Sequence, residues 1–153
     1  MEKRGEHVIS LANRLVKQLK PFVRRIEIVG SIRRKSKNPR DIDLVVIPKN
    51  KDKIKEFLSK KGKFLYGGEQ KAGFRIEGVN IQLYYTILEE WGATLLAFSS
   101  KRGSGIGLRI VARTKGFKLN QHGLFKKGKR IAGKTEEEIY RALGRSWKKP
   151  ENR

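Results

Sequence analysis

The segment Ile42-Asp43-Leu44-Val45-Val46-Ile47, closed by Pro48, constrains the fold of this 153-residue chain more than any other feature. Five apolar residues rich in β-branching, too short a run for a helix, predict a buried strand. Yet the run carries one ionisable carboxylate, and Asp41 places a second just ahead of it. Side chains alternate along a strand, so Asp41 and Asp43 are expected on one face. The chain has only three aspartates, Asp41, Asp43 and Asp52. Two of them beside an apolar run, where an unpaired charge is costly, call for a chemical reason. An exposed strand face is the competing explanation for Asp-Ile-Asp taken alone.

The residues upstream supply that reason. Ile26-Glu27-Ile28-Val29 alternates and then turns apolar, predicting a first strand. Gly30-Ser31 ends it. A glycine there lets a backbone amide approach a ligand closely, and the serine hydroxyl adds a donor. Arg34 can meet phosphate oxygens bidentately. The turn-rich Lys35-Ser36-Lys37-Asn38-Pro39 then leads to the aspartates. An ordinary turn explains Gly-Ser by itself. In this order, however, the residues form a phosphate cradle beside two carboxylates, an arrangement suited to a magnesium ion bridging protein and triphosphate.

Charge narrows the partner. Lys and Arg number 37 against 15 Asp and Glu, a formal net charge of +22. Self-repulsion on that scale disfavours the compact state, so a polyanion is expected to offset it. Nucleic acid fits, because each neutralised phosphate releases counterions. A membrane surface fits less well, since the basic residues do not gather on one amphipathic helix. Cysteine is absent and there are two histidines, which leaves no thiolate site and argues against zinc. No long apolar span or signal-peptide pattern is found, so a soluble intracellular protein, cytoplasmic or nucleoid-associated, and a monomer, is expected.

The remaining pattern predicts an α+β architecture in two parts, residues 1–88 and 89–153. Helices are expected over Glu6–Leu19, Lys51–Lys60, Glu89–Ser99 and Leu108–Lys115, and strands at Phe64–Tyr66, Phe74–Ile76 and Val79–Ile87. Short extended pieces follow around Lys118 and Leu124. Thr135-Glu136-Glu137-Glu138 has capping-box form and opens a last helix that stops at Gly144. The second part reads as small and mostly helical. Its basic residues Lys101, Arg102, Arg109, Arg113, Lys115 and Lys118, with Lys126, Lys127, Lys129 and Arg130, form a candidate phosphate-contacting surface without a base-reading module. A solvated face is the alternative.

Gly-Ser-Ile-Arg-Arg followed by Asp-Ile-Asp-Leu-Val resembles the nucleotidyltransferase signature in its family X DNA polymerase form. The resemblance continues through Leu108-Arg109, Lys115-Gly116-Phe117-Lys118-Leu119-Asn120, Gly123-Leu124-Phe125 and Thr135 to Gly144, then Trp147 and Pro150-Glu151. It implies a mixed-sheet palm followed by a C-terminal subdomain that contacts nucleotide and DNA. It also implies triphosphate binding by Gly30, Ser31 and Arg34. Asp41 and Asp43 would be catalytic and hold the metals, Mg²⁺ or Mn²⁺, and Arg109 would contact the template strand. The implied activity is gap-filling repair synthesis, with a deoxynucleoside triphosphate and gapped or primer-template DNA as partners.

Two departures from the family pattern matter. The third carboxylate, expected on a neighbouring strand, falls on Gln82, or on Asn80 with a slip of two residues. An amide carries no negative charge and takes no proton. Gln82 could also be an outward polar residue of an edge strand. The nucleotide pocket reads Ala97-Phe98-Ser99-Ser100, and the family's later Phe-Asn falls on Ser104-Gly105. Two functions therefore compete: a gap-filling nucleotidyltransferase with weakened catalysis, and a polymerase-like protein that binds nucleic acid, with or without a nucleotide–metal complex, and does not turn over. Transfer to a small molecule or protein is disfavoured by the C-terminal resemblance and the charge. Trp91 and Trp147 read as packing residues, and His122 is assigned no role.

Overall fold

The structure, a computed structural model, describes residues 2–153, save the side chains of Glu2, Lys3 and Arg102. The chain divides into two compact units, with the boundary between Thr86 and Ile87.

In the first unit, helix α1 (Glu2–Leu19) buries Val8, Leu11, Ala12, Leu15 and Leu19. That is the i, i+3, i+4 stripe of an amphipathic helix. It begins four residues earlier than the apolar pattern predicts, because Glu2, Lys3, Arg4 and Gly5 offer no apolar side chain from which a stripe could be read. Pro21 ends it in a short 3-10 turn. Strand β1 (Val23–Val29) leads into a four-residue helix, α2 (Gly30–Arg33), and then strand β2 (Ile42–Pro48). Helix α3 (Lys51–Lys61) follows, capped by Asn50, whose Oδ1 accepts the Lys53 N–H at 3.0 Å. Strands β3 (Lys63–Gly67), β4 (Lys71–Ile76) and β5 (Val79–Tyr85) complete a five-stranded sheet in the order β1-β2-β5-β4-β3. The β2–β5 pair is parallel and the others antiparallel, which makes the sheet mixed.

β5 is therefore the central strand, and the edge-strand explanation of Gln82 fails. Ile42, Leu44, Val46, Ala72, Phe74, Ile76, Val79, Ile81 and Leu83 share one core cluster with the apolar faces of α1 and α3. Alternation assigns the intervening residues to the opposite face. One register row there runs Val29, Asp43, Gln82, Gly73, Tyr66 across the whole sheet. The β4–β5 turn has Glu77 at φ 51° and Gly78 at φ 76°, two successive positive values that fit a tight two-residue hairpin. Arg14 donates to both Glu77 carboxylate oxygens at 3.0 and 3.1 Å, and Arg4 donates to the Gly78 carbonyl at 2.7 Å.

The second unit contains helices α4 (Trp91–Ser99) and α5 (Arg102–Thr114), strands β6 (Phe117–Asn120), β7 (Gly123–Lys126) and β8 (Lys129–Ala132), and helix α6 (Glu136–Ala142). The three strands form an antiparallel meander. β8 has no counterpart in the sequence reading. Its residues Lys129-Arg130-Ile131-Ala132 lack a two-residue period, and β7 supplies the pairing that makes them a strand. Thr135 Oγ1 accepts the Glu138 N–H at 3.1 Å, and Glu138 Oε1 accepts the Gly133 and Lys134 N–H groups at 2.7 and 2.8 Å. Gly144, at φ 70°, terminates α6 in the left-handed conformation that favours glycine.

α5 starts six residues before the predicted Leu108 and runs through Gly103, Gly105 and Gly107. Packing of Leu108, Val111 and Ala112 in the unit's core holds these glycines helical against their propensity. Nothing lies within 4 Å of a Cβ built on exposed Gly107. Gly107→Ala is accordingly expected to stabilise the protein by roughly 0.5–1 kcal/mol. Thermal unfolding checks this; a lower Tm would mean that a clash outweighs the gain in helix propensity.

Candidate active site

Gly30 opens α2 at φ 65°, and a Cβ at that position would overlap Asp43 Oδ2. Only glycine both takes this backbone conformation and leaves the carboxylate its space. Gly30 and Ser31 begin a single helical turn, in which the Arg34 N–H donates to the Gly30 carbonyl at 3.1 Å and the Ser36 N–H to that of Ser31 at 3.0 Å. The turn sets Arg34 near Asp43, half-buried. Arg34 Nε is buried and has no hydrogen-bond partner among the described residues. A buried donor left open in this way costs free energy until an acceptor arrives.

The two aspartates differ in setting. Asp43 lies inside β2 and is half-buried, whereas Asp41 is exposed and precedes the strand, which starts at Ile42. The expectation that both sit on the strand is thus corrected: Asp41 stands at its mouth. It lines a cleft of about 480 Å³ with Arg4, Asn38, Arg40, Arg75, Gly78 and Asn80. Asn80, the alternative third-carboxylate position, accepts a hydrogen bond from Arg75 at 2.8 Å. Its side-chain oxygen is therefore already engaged.

Gln82 is Asp43's register partner across the parallel pair. Between them reaches Tyr84, two residues beyond Gln82 and so on its face of β5. The Tyr84 hydroxyl lies 2.6 Å from Gln82 Oε1 and 3.3 Å from Asp43 Oδ1. Burial raises the Asp43 pKa. The Tyr84 hydrogen bond pulls it down, the Asp41 charge pushes it up, and the Arg34 charge lowers it. Burial first, then the Asp43 charge and hydrogen bond, raise the Tyr84 phenol well above its ordinary range, so it remains an O–H donor at neutral pH. Sequence reasoning missed Tyr84. Its parity with Gln82 within the predicted Val79–Ile87 strand was the available signal.

For a divalent cation, this face offers the carboxylates of Asp41 and Asp43 and the amide oxygen of Gln82. Gln82 brings no charge, and its amide oxygen already accepts a hydrogen bond from the Tyr84 hydroxyl. No three His, Cys, Asp or Glu side chains come together among the described residues.

In the second unit, Lys101, Arg109, Arg113, Lys115 and Lys118 are all exposed, on α5 and its flanks; the side chain of Arg102 lies outside the described residues. Phe98, Ser100, Gly105, Arg109, Asn120 and His122 are among the residues lining a cavity of about 400 Å³. His122 has a structural place after all. Its Nδ1 lies 2.7 Å from Glu90 Oε1, and Arg130 donates to Glu90 Oε2 at 2.8 Å. No described helix is long and apolar enough to cross a membrane.

A family model described as DNA polymerase beta thumb matches residues 94–153. Repair DNA polymerase X of African swine fever virus is 31% identical over 147 residues, covering 88% of this chain and 84% of that protein. DNA polymerase IV of Saccharomyces cerevisiae is 34% identical over 65 residues, which are 42% of this chain and 11% of its own. The crystal structure of Leishmania infantum polymerase beta in a ternary P/T complex has the same fold. Its TM-score is 0.84 at 20% identity, over 98% of this chain and 76% of that one. A relative 31% identical to this chain and matched over 84% of its own length places the chain in the family X DNA polymerases.

Proposed function

We propose that the chain is a DNA-binding nucleotidyltransferase that extends a primer across short gaps, with catalysis weakened by the amide at position 82. The first unit serves as the palm, and the second contacts nucleotide and DNA. The observation that carries the reading is Asp43 within reach of the charges of Asp41 and Arg34, the latter a half-buried guanidinium whose Nε lacks an acceptor among the described residues. A polyphosphate supplies the acceptors that Arg34 lacks.

In this reading Arg34 and Ser31 hold non-bridging phosphate oxygens, and Gly30 keeps the Asp43 carboxylate accessible. Asp41 and Asp43 hold one Mg²⁺ or Mn²⁺, which when bound offsets phosphate charge during transfer. Gln82 cannot accept the proton of the attacking primer hydroxyl, so that proton leaves to solvent. The exposed basic residues of the second unit hold the DNA backbone without reading its sequence. The name of the viral relative, a repair polymerase, supports gap filling as the task. The Gln82–Tyr84 contact favours a second reading, a protein that grips DNA and nucleotide without turnover.

Primer extension on a one-nucleotide-gapped duplex, with Mg²⁺ or Mn²⁺, separates the two. The unmodified protein is expected to extend slowly, and Gln82→Asp roughly 10²-fold faster, the low end of what a positioned base contributes. Product from the variant alone supports the binding protein. No product from either sinks the polymerase reading.

A further inference from the structure

We propose that the amide of Gln82 and the Tyr84 hydroxyl bonded to it together occupy the place a second divalent ion would need, so that the site holds a single ion, on Asp41 and Asp43, with Tyr84 as a positioning residue for Asp43. This rests on the reading of those aspartates as ion ligands.

The two oxygens of Asp43 face different neighbours. Oδ2 lies against Gly30, and Oδ1 lies toward β5, 3.3 Å from the Tyr84 hydroxyl. An ion added on the β5 side would draw on Oδ1 and on Gln82 Oε1, the single acceptor atom of that amide. Oε1 is already engaged at 2.6 Å, at the short end of the range for an O–H···O bond. A magnesium-like ion needs about six oxygens at roughly 2.0–2.1 Å, so one placed between Oδ1 and Oε1 would compete with the hydroxyl that lies beside both. The tyrosine is held from its own strand: residues 82 and 84 share a face, and Leu83 between them is fully buried in the core. Substituting Gln82 alone therefore leaves the hydroxyl in place beside whatever oxygen replaces the amide.

Equilibrium dialysis counts the ions. The full chain is held on one side, with Mn²⁺ and a non-hydrolysable deoxynucleoside triphosphate free to pass. Manganese in excess on the protein side is then what the chain retains. The unmodified protein and Tyr84→Phe are expected to retain one ion. Gln82→Asp should retain one tightly and one weakly, and Gln82→Asp/Tyr84→Phe two, the second at least tenfold tighter than in Gln82→Asp. Two tight ions on the unmodified protein overturn the proposal, as does an equally tight second ion with and without the Tyr84 hydroxyl. No retained ion at all overturns the ligand reading of Asp41 and Asp43 and the proposal with it. Tyr84→Phe keeps the ring and removes one oxygen, and an unchanged Tm ties the counts to the hydroxyl rather than to misfolding.

Discussion

Glu136→Ala is expected to destabilise the second unit by about 3–5 kcal/mol, the cost of leaving one member of a buried ion pair uncompensated. Arg153 donates to Glu136 Oε2 at 2.9 Å, and the two side chains are 1% and 3% exposed. The same carboxylate accepts the Trp147 indole N–H at 3.2 Å on its other oxygen, and Arg153 Nε donates to the Lys148 carbonyl at 2.9 Å. The guanidinium also lies 5.7 and 5.6 Å from the Tyr140 and Trp147 ring centroids. Alanine at 136 strands the charge of Arg153, whose Nη2 already lacks a partner among the described residues. Urea unfolding followed by tryptophan fluorescence reads the change, because Trp147 reports on the broken contact. Glu136→Gln, which keeps the shape and one acceptor, should cost less. A loss below 1 kcal/mol for alanine would mean that water reaches the guanidinium and that the pair is not the lock of the C-terminal segment.

The second large effect is on binding. If six to ten phosphates are contacted, affinity for duplex DNA should fall roughly 10³- to 10⁵-fold between about 50 and 200 mM salt. The net charge of +22 and the exposed Lys101, Arg109, Arg113, Lys115 and Lys118 are the basis for that number of contacts. Fluorescence anisotropy across a salt series gives the slope of log K against log salt. Removing one phosphate-contacting lysine, such as Lys118, should reduce it by about one and weaken all sequences alike. A nearly flat slope would show that the basic face is solvated surface rather than a phosphate track.

The parts of the site that were legible in the sequence are those fixed by local chemistry. Asp43 stood out because an acid inside an apolar run is costly, and Gly30 because a strand ended on it. Thr135 and Gly144 marked the ends of the last helix through capping rules that act within a few residues. What escaped depended on distant pairing. The central position of β5, and with it the true setting of Gln82, follows from a parallel partnership with β2, which no local pattern encodes. Tyr84 became a site residue only once that register brought Asp43 beside Gln82. α5 was read too short because three glycines outweighed, in sequence, an apolar face whose packing decides the matter in the fold. The environment of Arg153 depended on a partner 17 residues away.

The strand order of the first unit also carries a kinetic consequence. β1 and β2 can pair as soon as both are made, and β3, β4 and β5 follow one another as a meander. The sheet closes only when β5 docks beside β2 in parallel, joining segments more than thirty positions apart before the Arg14–Glu77 contact can tie the first helix to the last hairpin. Closing a loop of that length costs chain entropy before its contacts form, so this step is expected to set the pace of assembly for the first unit. Until it happens, Asp43 and the Gln82–Tyr84 pair belong to two separate, half-made sheets, and Asp43 lacks the tyrosine hydroxyl beside it. The second unit's β6-β7-β8 meander pairs strands that follow one another in sequence, so it is expected to lack that barrier.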